Sequence, residues 1–471
     1  MEQDTIAAVA TPVGSGGIGI IKISGRDALS IAEAIFQKTG NTPDSWRTTD
    51  AHLVAALHSH RLYHGHIVDP DNGRVLDEVL LAAMPAPHSY TREDVVEINT
   101  HSGRVVLAAT LALVLKQGAR LAEPGEFTKR AYLSGRIDLT QAEAVIDIIN
   151  SRTDKALEIA ASQIRGDLKQ KVEAIRDILL DILTEIEAVI DFPEDVEDII
   201  KDGKAVAVIA NKAIEPLKAL IRQYDNAHIL RDGIKMAVVG KPNVGKSSLM
   251  NRLLQNDRVI VSPIPGTTRD LIEETLNIRG IPVVVADTAG LHETDDPVEV
   301  IGIQKTEEYI NRSDLVLFMI DAGEPLARED YRIYETIHNK RSIIVVNKID
   351  LVDKGAGPDI PDTWAQTPAI KISALYGEGL GALKDLIAKI SMGDFPLEPE
   401  NVTIPNLRHK IALARCLQLA TSAVEAIKNK TPFELVAIDV QEAIDALGEI
   451  VGLTTREDVI DQIFSRFCIG K

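Results

Sequence analysis

The stretch GKPNVGKS at positions 240–247 constrains the fold of this chain more than any other. It matches G-x-x-x-x-G-K-S, follows the apolar run IKMAVVG and precedes the helical pattern SSLMNRLLQ. A strand, a glycine loop and a helix in that order turn successive backbone N–H groups inward, where they cradle phosphates. Lys246 is placed to reach the β- and γ-phosphates, and the Ser247 hydroxyl to ligate Mg2+. The surroundings agree. From 233 to 390 the runs IKMAVVG, IPVVVAD, DLVLFMID, SIIVVNKID and AIKISA alternate with helical patterns, the rhythm of a parallel sheet with crossover helices.

Four more pieces follow the loop in order, each beside a strand. VVVADTAG (283–290) ends a strand in Asp287, the acid expected on the Mg2+ side, and in Gly290, whose N–H can meet the γ-phosphate. PGTTRD (265–270) puts Thr268 where it can close over Mg2+ when GTP is bound. VVNKID (345–350) supplies Asn347, Lys348 and Asp350. A carboxylate there accepts from the guanine ring N–H and amino group, a donor pair that adenine lacks. ISA (372–374) offers a backbone contact to the guanine oxygen. The expected guanine nucleotide site thus spans Asn243, Val244, Gly245, Lys246, Ser247 and Ser248; Ser262, Pro263, Ile264, Pro265, Gly266, Thr267 and Thr268; Asp287, Thr288, Ala289 and Gly290; Asn347, Lys348, Ile349 and Asp350; and Ser373 and Ala374. One part is missing. Ras-like proteins carry a glutamine directly after Asp-x-x-Gly to orient the attacking water, and here Leu291 stands there. The next segment, HETDDPVEVIG, is rich in carboxylates, and by charge alone it reads as a solvated acidic loop.

Around this α/β block the character changes. Residues up to about 120 mix short strands and turns, an α+β pattern in which HGHIVDPDNGRVLDEVLLAAM (64–84) reads as two strands around an Asp-Asn-Gly turn. From about 136 to 192 apolar residues recur at helical spacing, in two or more long helices. After the proline-rich GDFPLEPENVTIPN the helical pattern resumes from about 407. An α/β domain is therefore expected as an insertion in a helical one. The net charge of −19 repels polyanions, so contact with nucleic acid calls for a local basic patch or a partner. Two cysteines build no disulfide framework, and no signal peptide or membrane-length apolar run is seen, so the expected location is cytoplasmic.

The stretches DTIAAVATPVGSGGIGIIKISG, SYTREDVVEI, EPGEFTKRAYLSGRIDLTQAEAVIDII, IDFPED and the terminal FCIGK, together with the five guanine nucleotide motifs, resemble the MnmE (TrmE) family of tRNA modification GTPases over essentially the whole chain. The resemblance implies a tetrahydrofolate-binding-like dimerisation domain (1–122), a helical domain in two parts (123–229 and 393–471) and an inserted Ras-like G domain (230–392). It implies a homodimer that works with an FAD-dependent partner, MnmG, in a heterotetramer or larger assembly. The implied reaction adds an aminomethyl or carboxymethylaminomethyl group to carbon 5 of wobble uridine in tRNA, with one carbon from a 5-formyl- or 5,10-methylene-tetrahydrofolate. It also implies K+ at the site, on Asn243, Ser262, Ile264 and Thr267, and water orientation by Glu299, which reverses the reading from charge alone. The other reading, from a different class, is a GTP-dependent switch in ribosome assembly.

The implied folate pocket holds Lys22, Glu97, Arg136 and the terminal Lys471. Cations for glutamyl carboxylates and a carboxylate for the pterin suit that ligand. Cys468, in CIGK, is a poor prenylation box, because Gly470 is not aliphatic and no polybasic stretch precedes it. The implied site brings its thiol near the one-carbon chemistry, acting covalently or shaping the pocket. His52, His58, His60, His64 and His66 crowd a short stretch, where alternation at 64 and 66 suits one face of a strand better than a metal site. Cys416 lies in a helical pattern, and core packing is its expected role.

Overall fold

A computed structural model describes residues 4–12, 14, 16–39, 59–191, 204–257, 274–285, 310–353, 357–393 and 403–471. The described chain forms two compact units: residues up to 146 together with 448–471, and the remainder from 147 to 447.

The first unit opens with strands β1 (Ile6–Val9) and β2 (Ile18–Ser24), helix α1 (Ala28–Ile35), and strands β3 (Phe36–Lys38), β4 (Leu62–Val68), β5 (Val75–Met84) and β6 (Val95–His101). Helix α2 (Arg104–Lys116), strand β7 (Arg120–Leu121) and helix α3 (Glu126–Leu133) follow. The seven strands lie in the order β3-β4-β5-β6-β2-β1-β7. Strands β4 and β5 are the two expected strands, paired antiparallel around a turn at Gly73. Alternation decides which side chains face in. Ile21, Ile23, Ile67, Val79, Leu81, Val96 and Ile98 pack against Ala28, Ile31 and Ile35 of α1 and Leu107, Leu113 and Val114 of α2. His64 and His66 fall on the other face of β4, and His64 Nε2 lies 2.6 Å from the Glu78 carboxylate.

The helical run from about 136 divides into α4 (Leu139–Asn150), α5 (Asp154–Ile164) and α6 (Asp167–Asp191). The breaks have local causes. The Thr153 hydroxyl caps α5 by accepting from Ala156 N, and Gly166, at φ +89°, ends it in a conformation that side chains disfavour. Next come α7 (Lys204–Val208), a π-helical turn (Ile209–Ile214) and α8 (Glu215–Asp232).

The α/β block of the second unit runs β8 (Ile234–Val239), α9 (Lys246–Asp257), β9 (Glu274–Ile278), β10 (Ile281–Val285), β11 (Leu315–Asp321), α10 (Arg328–Ile337), β12 (Ser342–Asn347), β13 (Ala369–Lys371) and α11 (Leu380–Met392). The sheet order is β13-β12-β11-β8-β10-β9; all neighbours are parallel except the edge pair β9–β10. Every residue of β11 and β12 is buried, as a sheet covered on both faces requires. One face carries Met236, Leu317, Met319 and Val345 against α9 and α11; the other carries Val239, Phe318, Ile320 and Val346 against Ile337 and Trp364.

Helices α12 (Leu407–Lys428), α13 (Phe433–Val451) and α14 (Glu457–Phe464) complete the chain. Segments from before and after the inserted block meet. Gln163 Nε2 donates to the Ile404 carbonyl at 2.5 Å, Lys171 Nζ to Thr403 Oγ1 at 3.0 Å, and Lys410 Nζ to Asp225 at 2.5 Å. Ile159 of α5 and Ala227, Ile229 and Leu230 of α8 also enter the core on one face of the six-stranded sheet. Cys416 is fully buried in α12, and burial pushes its thiol up to about 12, so it is inert packing. Among the described residues, no helix is long and apolar enough to cross a membrane.

Candidate functional site

The phosphate loop leaves the carboxyl end of β8, where open α/β sheets bind their ligands. Two of its glycines are sterically required. A Cβ on Gly240 would run into the Met319 carbonyl, and one on Gly245 into the side-chain amide of Asn347. Asn243, between them, sits in the left-handed region at φ +63°. Lys246 opens α9, and its ammonium donates to the carbonyls of Gly240 at 2.8 Å and Lys241 at 2.7 Å. Burial lowers its pKa below the usual lysine range. Among the described residues no carboxylate forms an ion pair with it. A half-buried cation with no carboxylate partner among the described residues, at the start of a helix, fits an anion such as a phosphate group. Ser247, the expected Mg2+ ligand, is the second residue of α9.

The guanine side is built at the ends of β12 and β13. Asn347 is 2% exposed and works as a tie. Its Nδ2 donates to the Val244 carbonyl of the phosphate loop, and its Oδ1 accepts from Ala374 N, both at 2.9 Å. The Ala374 N–H, in the ISA segment expected to make a backbone contact to guanine, is therefore engaged by Asn347 here. Lys348 follows at φ +66°, and its ammonium is 2.7 Å from Asp321 Oδ2. Asp350 is exposed, and the Ser373 hydroxyl orients it by donating to Oδ1 at 2.5 Å. The structure thus brings Asn243 to Ser248, Asn347 to Asp350, and Ser373 with Ala374 to one end of one sheet. Ser262, Pro263, Ile264, Pro265, Gly266, Thr267, Thr268, Asp287, Thr288, Ala289, Gly290 and Glu299 lie outside the described residues.

A second cluster lies in the first unit. Lys22 on β2 and Glu97 on β6 are register partners, 3.5 Å apart between Nζ and Oε1. The Lys22 ammonium sits 5.5 Å from the ring centre of Tyr90 and 5.6 Å from that of Phe127. The Arg136 guanidinium lies 4.7 Å from the same Tyr90 ring. Tyr90 OH is 3.0 Å from Thr128 Oγ1, and burial raises the phenol's pKa. Lys22 and Arg136 thus lie over the ring of one tyrosine that the sequence reading did not single out, and Glu97 joins them through Lys22.

The chain end docks beside them. Phe127 N donates to the Lys471 carbonyl at 3.2 Å and Gly125 N to the Cys468 carbonyl at 3.4 Å, while Ile469 forms an antiparallel bridge with Pro124. Gly470, at φ +94°, passes so close to β1 that a Cβ would stand 2.5 Å from the Val9 carbonyl. Gly125, at φ +68°, faces the Phe464 carbonyl, 2.6 Å from where its Cβ would be. The two most distinctive strings, PGEFT and CIGK, are therefore two sides of one contact. Cys468 itself is exposed.

An ion-pair network underlies α3. Glu126 accepts two bonds from Arg120 at 2.8 and 2.6 Å, two from Arg130 at 2.9 and 3.3 Å and one from Glu123 N at 2.8 Å. Arg130 also reaches Asp4 at 2.7 Å and Glu93 at 3.1 Å. Burial pushes the Glu126 carboxyl up, but the Arg120, Glu123 and Arg130 hydrogen bonds outweigh it and hold the group below the usual carboxylate range. Sequence reading missed these residues. Their signal was the EPGEFTKRA string, which carries Glu126 and Arg130 at helical i,i+4 spacing.

Comparison with known proteins places the chain in a family. Residues 5–136 match the family model of the GTP-binding protein TrmE N-terminus, and residues 139–468 that of the MnmE helical domain. Full-length relatives carry the name tRNA modification GTPase MnmE. The protein of Alkaliphilus oremlandii is 44% identical over 472 residues, covering 100% of this chain and 99% of its own. Those of Acetivibrio thermocellus and Thermoanaerobacter sp. are 45% and 46% identical, covering 100% of both chains. The two family models and the end-to-end identity leave one conclusion: the chain belongs to the MnmE (TrmE) family.

Proposed function

We propose that this protein is a GTP-hydrolysing enzyme of tRNA wobble-uridine modification. The observation that carries the nucleotide half is the Lys246 ammonium, without a carboxylate partner among the described residues, in a glycine loop tied by Asn347 to the candidate guanine-reading segment. Hydrolysis needs little covalent chemistry from the protein, since phosphoryl transfer rests on positioning and charge. Lys246 neutralises the β- and γ-phosphates, and Ser247 with Thr268 would hold Mg2+ opposite Asp287. Asn243, Ser262, Ile264 and Thr267 would hold K+. Bound there, both ions would supply positive charge where negative charge develops in the transition state. With Leu291 unable to orient water, Glu299 takes that role. Asp350 reads the guanine edge, with Ser373 fixing its carboxylate.

The modification half rests on the cluster around Tyr90. Lys22 and Arg136 are cations placed for the glutamyl carboxylates of a tetrahydrofolate, and Glu97 is a carboxylate for its pterin. The docked tail adds Lys471 and brings Cys468 alongside. A bound 5-formyl- or 5,10-methylene-tetrahydrofolate supplies the one-carbon unit. The FAD-dependent partner, MnmG, completes the addition of an aminomethyl or carboxymethylaminomethyl group at carbon 5 of the wobble uridine. In this reading the protein is a cytoplasmic homodimer, joined through the folate-binding-like domain (1–122). The helical segments (123–229 and 393–471) carry the G domain (230–392). Nucleoside analysis of tRNA from cells lacking the protein tests the proposal. Loss of 5-substituted wobble uridines is expected; unchanged uridines alongside a defect in ribosomal subunits would replace it with an assembly switch.

A further inference from the structure

The segment from the end of β11 into α10 belongs to none of the five nucleotide motifs, yet it carries two buried carboxylates that each grip one of them. Asp321, at the end of β11, accepts from Gly323 N at 2.9 Å and holds the Lys348 ammonium at 2.7 Å. Asp330, in the first turn of α10, is 1% exposed. Its Oδ2 accepts from Ala327 N at 2.8 Å and from the Lys241 ammonium at 2.9 Å.

We propose that Asp330 is a positioning residue for the phosphate loop, acting through Lys241. The inference rests on the nucleotide site proposed above and extends it. Lys241 directly follows Gly240, and the carbonyls of these two residues are the ones that receive the Lys246 ammonium. Anchoring the Lys241 side chain to α10 fixes where those carbonyls stand, and so where Lys246 points. Glu324, at 3.7 Å from Lys241 Nζ, lies on the surface and adds little.

A helix cap alone does not explain the arrangement. Capping α10 uses only the bond to Ala327 N, which an uncharged amide makes equally well. A buried carboxylate costs several kcal/mol to desolvate unless a cation accompanies it. Here the other oxygen, Oδ1, is buried with no hydrogen-bond partner among the described residues, so the ion pair with Lys241 is the interaction that offsets the cost.

Asp330→Asn separates the two roles, because the amide oxygen keeps the cap while the charge is lost. The full-length protein, Asp330→Asn, Lys241→Met and the double variant are compared by titration with a fluorescent GDP and by steady-state GTP hydrolysis. Each single variant is expected to raise the GDP Kd and the GTP KM about tenfold, with kcat within about twofold. The double variant is expected to be no worse than either single one, since both remove the same pair. Asp330→Asn binding GDP like the parent reduces Asp330 to a cap and overturns the inference. So do losses that multiply in the double variant. If Asp330→Asn does not fold, Lys241→Arg, which keeps the charge, is compared with Lys241→Met, which removes it; equal GDP binding by the two overturns the inference. A parent chain that binds no GDP removes the nucleotide site itself, and this inference with it.

Discussion

Replacing Asn347 by alanine removes the tie between the two halves of the nucleotide site. The side chain is 2% exposed, so water does not substitute for it. Two backbone groups lose their partners, the Val244 carbonyl and the Ala374 N–H, each bonded at 2.9 Å. An orphaned buried polar group costs about 1–3 kcal/mol, and the carbonyl's second lone pair moderates its share, so about 3 kcal/mol is expected for both. In the proposed site the cost falls on binding, because both groups sit in the loops proposed to hold the nucleotide. Buried β12 holds Asn347 from the other side and stays paired to β11 and β13. At about 1.4 kcal/mol per tenfold, the Kd for GDP should rise about 100-fold. Titration of the full-length variant with a fluorescent GDP measures it, with a thermal melt to show that the fold persists. Ser373→Ala is the internal comparison. It removes one bond to an exposed carboxylate and the acceptor of Tyr376 N at 3.2 Å, and less than about tenfold is expected. A Kd for Asn347→Ala within about threefold of the parent, in a folded protein, would refute the tie.

Other outcomes follow from the described geometry and from the proposed function. Glu126→Gln should cut amide protection in β1 and α3, measured by native-state hydrogen exchange, by an amount equivalent to about 2–3 kcal/mol. That lies at the low end for a broken buried pair, because Arg120 and Arg130 both keep Asp4. Glu126 has a depressed folded pKa, so its contribution is full above the unfolded value of 4.5 and is lost as pH falls through the folded one; protection of α3 in the parent should decline in that acid window. GDP affinity should fall at alkaline pH, starting below the ordinary lysine value of 10.5. The free-state Lys246 pKa is lowered by burial and phosphates raise it again on binding; a flat profile from pH 7 to 10.5 would contradict this. Glu299→Ala should keep GDP binding and lose most GTP hydrolysis, and exchanging K+ for Na+ should slow the parent; hydrolysis equal to the parent's would remove Glu299 from the site. Cys468→Ser should leave hydrolysis intact and impair wobble-uridine modification, whereas intact modification would leave the thiol a packing role.

The described parts of the candidate nucleotide site were legible in the chain because they are local. A glycine loop between a strand and a helix, or an Asn-Lys-x-Asp at a strand end, carries its geometry within a few residues. The parallel sheet was legible for the same reason, since strands buried on both faces read as unbroken apolar runs such as LVLFMID. The cluster around Tyr90 was legible only in part. Lys22, Glu97 and Arg136 came through family resemblance, and Tyr90, Phe127 and Thr128 did not appear, because an aromatic ring between two cations looks in sequence like any core residue.

What the sequence by itself determined, then, is the set of elements, the order of the guanine nucleotide motifs and the family. Periodicity, turn chemistry and short motifs are properties of neighbours in the chain. Tertiary structure alone decided which distant residues meet. Asn347 bonds to Val244 across 103 positions, Asp330 reaches back to Lys241, and the terminal Lys471 comes to rest on Phe127. Those pairings depend on strand order and on the close approaches that Gly125, Gly245 and Gly470 permit. No local pattern records them, since the cost of closing a loop grows only slowly with its length and the chain is free to spend it anywhere the packing repays it.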